Sequence, residues 1–162
     1  MTDDDARYAY LAEGNAKQAR KRTAADLLIR NEAGDILLVN PSYKEHWDLP
    51  GGMAEANEPP RKAAERELAE ELGLTVTAGR LLVLDWVAPH GPWDDQLVFI
   101  FDGGTLPAAR ATSLEITDPE IDEFAFVSLS DATLRLRADM AQRLTRAYRA
   151  FDTGATDYSE SQ

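Results

Sequence analysis

Residues 52–74 read GMAEANEPPRKAAERELAEELGL, and the spacing within them is specific: Gly52, five residues, Glu58, seven residues, Arg66-Glu67-Leu68, one residue, Glu70-Glu71, one residue, Gly73-Leu74. Glu67, Glu70 and Glu71 fall at i, i+3 and i+4, so on a helix their carboxylates share one face. Like charges held that close repel, and a helix gains nothing by stacking them bare. A hard divalent cation between them removes the conflict, because magnesium and manganese bind through carboxylate oxygens. A solvated acidic helix face is the plainer reading of such acids, and the flanking residues decide against it. Pro59 and Pro60 suit a first helical turn, where a missing N–H costs nothing, and Gly73 suits a left-handed stop. The helix therefore spans about residues 60–72, with Ala64, Leu68 and Leu72 as its buried stripe. Gly51-Gly52, arriving after Trp47-Asp48-Leu49-Pro50, make a bend with little side-chain bulk. Glu58 and Arg66 bracket the helix start, where a bidentate ion pair would pin the loop to the helix.

With those residues in place, the segment resembles the signature of the Nudix hydrolase family, Gly-x5-Glu-x7-Arg-Glu-U-x-Glu-Glu-x-Gly-U with U apolar. Each specified position is filled, by Gly52, Glu58, Arg66, Glu67, Leu68, Glu70, Glu71, Gly73 and Leu74. The Trp47 to Gly52 lead-in is also usual in that family. The resemblance implies an α/β fold: a Nudix-type α/β/α sandwich around a mixed central β-sheet, carrying a loop–helix–loop catalytic motif.

The rest of the chain sets outer limits. Its 162 residues suit one domain with a real core, and the absence of cysteine excludes disulfides and thiolate chemistry. A net charge of −12 argues against a nucleic-acid polymer as partner, since such a surface must be basic. No apolar run reaches membrane-spanning length, and the acidic start, Met1 to Asp5, is unlike a signal peptide. The expectation is a cytoplasmic protein with no membrane partner.

Along the chain, residues 1–22 read as a polar, helical extension, with Tyr8, Leu11 and Ala12 at helical spacing. Tyr8, Tyr10 and Leu11 can pack on the same chain or on a twin subunit, which leaves a homodimer open. Lys17, Arg20, Lys21 and Arg22 form a basic entry to the first strand, and Arg22 is a candidate for substrate phosphate. Residues 24–30 and 36–40 read as a hairpin across Glu32-Ala33-Gly34-Asp35. Residues 81–87 and 97–101 read as strands covered on both faces, the second ended by Gly103-Gly104. Residues 107–122 read as loop, 123–127 as a last strand, and Leu136 to Phe151 as an amphipathic helix. The domain is expected over 23–151, followed by a mobile acidic tail at 152–162.

By resemblance the chain hydrolyses the diphosphate linkage of a nucleoside diphosphate derivative or a nucleoside triphosphate, a small-molecule substrate, with Mg2+ or alternatively Mn2+. Metal ligands are expected at Glu67, Glu70 and Glu71, with the Gly52 carbonyl as a further oxygen. Glu58, Arg66 and Gly73 shape the motif. Glu70 or Glu71 can orient or deprotonate water, but a carboxylate on a metal is a poor base. Glu120 and Glu123, ahead of Glu115 in the later acidic segment, are alternatives. His46 and His90 are the only histidines, which excludes a His-rich metal site. Of Trp47, Trp86 and Trp93, the last, in a polar loop, suits stacking on a base. Pro89 lies fifteen residues after Leu74, where relatives that split ADP-ribose carry a proline, so it too is a substrate-side candidate. The other functional class left open is a catalytically silent nucleotide-binding module with a regulatory role.

Overall fold

The computed structural model describes residues 2–162; Met1, the first residue of the expected extension, lies outside them. Helix α1 (Asp3–Lys17) opens on a capping box, in which the Thr2 hydroxyl accepts from Asp5 N and the Asp5 carboxylate accepts from Thr2 N. None of its residues is buried, so Tyr8, Tyr10 and Leu11 do not pack on this chain's core.

Strands β1 (Arg22–Asn31), β2 (Ile36–Pro41), β3 (Gly51–Met53), β4 (Leu81–Val87), β5 (Gln96–Leu106), β6 (Ile121–Val127) and β7 (Asp157–Ser161) form one sheet. Its order is β6-β2-β1-β5-β4-β7, with β3 paired to β1. The β1–β5 and β4–β7 pairs are parallel and the rest antiparallel, so the sheet is mixed as expected. Helix α2 (Pro60–Leu72) covers one face; α4 (Leu129–Arg135) and α5 (Ala138–Thr153) cover the other. Short α3 (Ala108–Ala111) interrupts the segment read as loop.

Strand alternation sorts the core. Ala25, Leu27, Ile29, Leu37 and Val39 pack with Ala63, Ala64, Leu68 and Leu72 of α2. Leu28, Ile36, Leu38, Val83 and Ile100 pack with Leu144, Ala147 and Ala150 of α5. A strand buried on both sides shows no polar alternation in sequence, which is why β1 is apolar from Leu27 to Ile29 and Asp26 stands out in it.

Two expectations fail. Gly103-Gly104 do not end β5, which continues to Leu106. A Cβ at Gly103 would collide with the Ile29 side chain, and the β1–β5 register shifts between Leu28 and Arg30. These glycines carry the strand through a bulge rather than stopping it. The tail is not irregular either: Asp157–Ser161 forms a strand that pairs along Val83 to Val87. Small polar residues are held there by backbone bonds to the open edge of β4 and by the Ser161 hydroxyl, which donates to Asp85 at 2.9 Å. Among the described residues no helix is long and apolar enough to cross a membrane.

Candidate active site

Pro60 opens α2, and Gly73 closes it in the left-handed conformation (φ 62°), its N–H donating to Ala69 O. The buried stripe contains Ala63, Ala64, Leu68 and Leu72, and also Glu71, which is 8 % exposed. Arg66 organises the helix start. Its Nε and Nη2 donate to the two Glu58 oxygens at 2.8 and 3.0 Å, and Nη2 also donates to Met53 O. Those hydrogen bonds from Arg66, with one from Glu55 N, hold the Glu58 carboxyl down at about 2. Gly52 allows the loop to lie against the helix: a Cβ there would sit 2.6 Å from Glu67 Cδ.

The three helical acids point to two places. Arg66 Nη1 donates to Glu67 and to Glu70, each at 3.1 Å, whereas Glu71 accepts from Gly51 N at 3.3 Å. Among the described residues no three acidic or histidine side chains converge as a metal cage. The donor chemistry nevertheless fits a hard cation. Burial pushes the Glu71 carboxyl up to about 8, and the nearby Glu67, Asp26 and Asp118 charges add to it against the single Gly51 bond. Burial also raises Glu67, with Arg66 opposing. This is a crowd of carboxylates short of positive charge.

Of these groups Glu71 lines a cleft of about 690 Å³ beside the sheet and α5, whereas Glu58, Arg66, Glu67 and Glu70 do not. Gly51 and Gly52 line it beside Glu71, as do Arg137, Asp139 and Arg143. Trp47, His46 and His90 line it; Trp93, Arg22 and Pro89 do not. Trp93 is exposed and the Arg22 guanidinium lies 4.7 Å over its ring, so the two occupy each other. Trp86 donates to Asp95 at 2.7 Å. Glu120 lies at the start of the β6 segment, its carbonyl accepting from Ser42 N, and its charge reaches the cleft residue Tyr43. Glu123 is exposed on β6, opposite Asn40, and Glu115 N meets Leu72 O at the end of α2.

The cleft also contains residues that the motif does not reveal. Asp26 is 7 % exposed; burial, then Asp48, hold its carboxyl well above the usual range against Arg143 and Lys44. Arg143, 3 % exposed, donates from Nε to fully buried Asp85 at 2.6 Å and from Nη1 to Asp139 at 3.0 Å. A lone acid in an apolar strand, as at Asp26 and Asp85, is the sequence signal that could have found both.

A model of the NUDIX domain matches residues 20–151. Diphosphoinositol polyphosphate phosphohydrolase 2 of Rattus norvegicus is 44 % identical over 68 residues, which is 41 % of this chain and 38 % of that protein. The matched stretch thus spans well under half of that curated relative. The MutT protein of Methanosarcina mazei Go1 superposes with a TM-score of 0.68 at 27 % identity, covering 83 % of this chain and 99 % of the other. A C. elegans Ap4A hydrolase gives 0.63 at 26 %, covering 82 % and 98 %.

Proposed function

The chain belongs to the NUDIX domain family, and from that premise we propose that it hydrolyses the diphosphate linkage of a nucleoside diphosphate derivative or nucleoside triphosphate by attack of water at phosphorus. The observation that carries this is Glu71, a buried carboxyl raised to about 8 in a cluster of acids beside a cleft. Glu67, Glu70, Glu71 and the Gly52 carbonyl are the oxygens that would hold Mg2+ or Mn2+. The bound ion would neutralise phosphate charge and acidify a water.

The protein's own contribution is positioning. Glu58 and Arg66 fix the loop against α2, so Gly52 and Glu67 stay in contact. Arg66 also holds one oxygen each of Glu67 and Glu70, which leaves Glu67 Oε2 and Glu70 Oε1 to serve as ligands. Glu120 is the better placed of the two later acids to take the proton, because its backbone is tied to Ser42, between the cleft residues Pro41 and Tyr43. Both acids of the Glu70-Glu71 pair are present, which favours an enzyme over a silent nucleotide-binding module.

Chromatographic detection of the nucleotide, sugar-phosphate, pyrophosphate and phosphate products from nucleoside triphosphates, nucleoside diphosphate sugars, dinucleoside polyphosphates and a diphosphoinositol polyphosphate, with and without magnesium, tests the reading. Magnesium-dependent turnover of at least one nucleotide is expected. Folded protein inert toward all of them would refute it.

A further inference from the structure

Helix α1 is formed and capped, yet no part of its own chain covers it. Every one of its residues is exposed, Tyr8 and Tyr10 each to 76 % and Leu11 to 57 %. A helix of this length standing alone in water is marginal, and most helices owe their stability to a packed face. Gly14 weakens it further, because glycine gives up more chain entropy on becoming helical than any other residue. The capping box of Thr2 and Asp5 secures only the first turn.

The exposed apolar residues share one side. At about 100° per residue Leu11 lies between Tyr8 and Tyr10, and Gly14, three past Leu11 and four past Tyr10, falls on the same side. No atom lies within 4 Å of where a Gly14 Cβ would stand, so nothing in this chain requires glycine there. Its bare backbone leaves a hollow beside Leu11 that a large side chain from another helix can enter.

Charge narrows the occupant to a second copy of this chain. Asp3 and Asp4 stand at the start of α1, whereas Lys17 ends it and Arg20 follows. The helix dipole accounts for acids in the first turn and a lysine in the last, but not for Arg20 beyond the end or for the exposed tyrosines. Lys17 pairs with Glu13 in an exposed contact and Lys21 is taken by Asp95, while Asp3, Asp4 and Arg20 have no ion pair among the described residues. A two-fold interface needs a patch that complements itself, and antiparallel pairing supplies it, each acidic start meeting the other's basic end. The register that sets Leu11 against Leu11 of the second copy also sets Tyr8 against its Gly14 and Asp4 against its Gln18, next to Lys17. An anionic lipid surface fits poorly, because α1 carries Asp3, Asp4, Asp5 and Glu13 against Arg7 and Lys17.

We propose that α1 is a homodimerisation element, pairing antiparallel with α1 of a second copy through Tyr8, Leu11 and Gly14, and held in register by Asp3 and Asp4 against Lys17 and Arg20. No residue of α1 lines the cleft, so the pairing is independent of the hydrolytic reading. One helix pair buries no more than the roughly 1,000 Å² at which stable interfaces begin, so dissociation in the micromolar range is expected.

Sedimentation equilibrium of the whole chain across the micromolar range tests the pairing, and the mass is expected to move from one chain toward two as concentration rises. Leu11→Asp, at an exposed position where the melting curve should be retained, should weaken association about tenfold or more. Gly14→Leu favours an isolated helix but fills the hollow, so it too should weaken the dimer. Asp3→Lys with Asp4→Lys, and separately Lys17→Glu with Arg20→Glu, each make the two ends of α1 alike in charge. Each charge variant should self-associate about tenfold less well than the parent, and an equal mixture of the two should recover the dimer. A single-chain mass throughout, a dimer indifferent to Leu11→Asp, or charge variants that fail to recover in mixture would overturn the pairing. A monomer that instead sediments with phosphatidylglycerol vesicles would overturn it too, and would give the face to a membrane.

Discussion

Glu71 shows how much one side chain can hold in tension. Its carboxyl lies near 8 in the folded chain against 4.5 ordinarily, because burial and neighbouring acids disfavour the charge. The folded state therefore keeps a proton that the unfolded state releases. The associated stability is complete below pH 4.5 and is lost as pH rises through about 8. Metal-free protein should accordingly melt at falling temperature across that window, and Glu71→Gln should flatten the fall. Calorimetry at several pH values checks both, and a wild-type profile that rises toward pH 8 would contradict the assignment. Glu70 behaves differently, being about half exposed with one hydrogen bond from Arg66 at 3.1 Å. Glu70→Gln should leave the metal-free melting point within about 2 °C, as for an ordinary surface pair. Its turnover should drop about a hundredfold, the scale of losing one group that stabilises transition-state charge. Equal kcat in the variant and the parent would remove Glu70 from the proposed ligand set.

At the scale of elements, the loop–helix–loop and the last strand make opposite cases. The ends of α2 are legible from the chain because proline at its start and glycine after its last turn act through local backbone geometry. The Glu58–Arg66 pair is legible for a similar reason: both residues sit within one short motif. Strand β7 is not, because nothing within Asp157–Ser161 calls for a strand; the demand comes from the edge of β4, far away in sequence. Deleting residues 157–162 should uncover that edge and take a hydroxyl from buried Asp85. A melting point several degrees lower and light scattering that grows with protein concentration are expected. Unchanged melting and scattering would mean that the strand contributes little.

Over the whole molecule, the sheet separates two apolar cores, and the charges between the sheet and α5 tie the second core together. Asp85 is fully buried and meets Arg143 at 2.6 Å and Arg146 at 3.3 Å, with Ser161 beside it. Asp85→Asn leaves two arginines short of a counter-charge, and breaking a buried pair in this way costs about 3–5 kcal/mol. Urea denaturation should show that loss with an unchanged slope, and a difference under about 1 kcal/mol would mean that solvent reaches the pair freely. The bounds of α2 and the shared face of its acids follow from the sequence by itself, since caps, periodicity and spacing are properties of adjacent residues, and the sandwich class follows from the family resemblance that this spacing carries. The pairing of β7, the turning of Glu71 toward Gly51, and the meeting of Asp26 with Arg143 in one cleft were decided only by the tertiary structure. These arrangements bring together residues 20 or more positions apart, and the low dielectric around them exists only once the chain has closed.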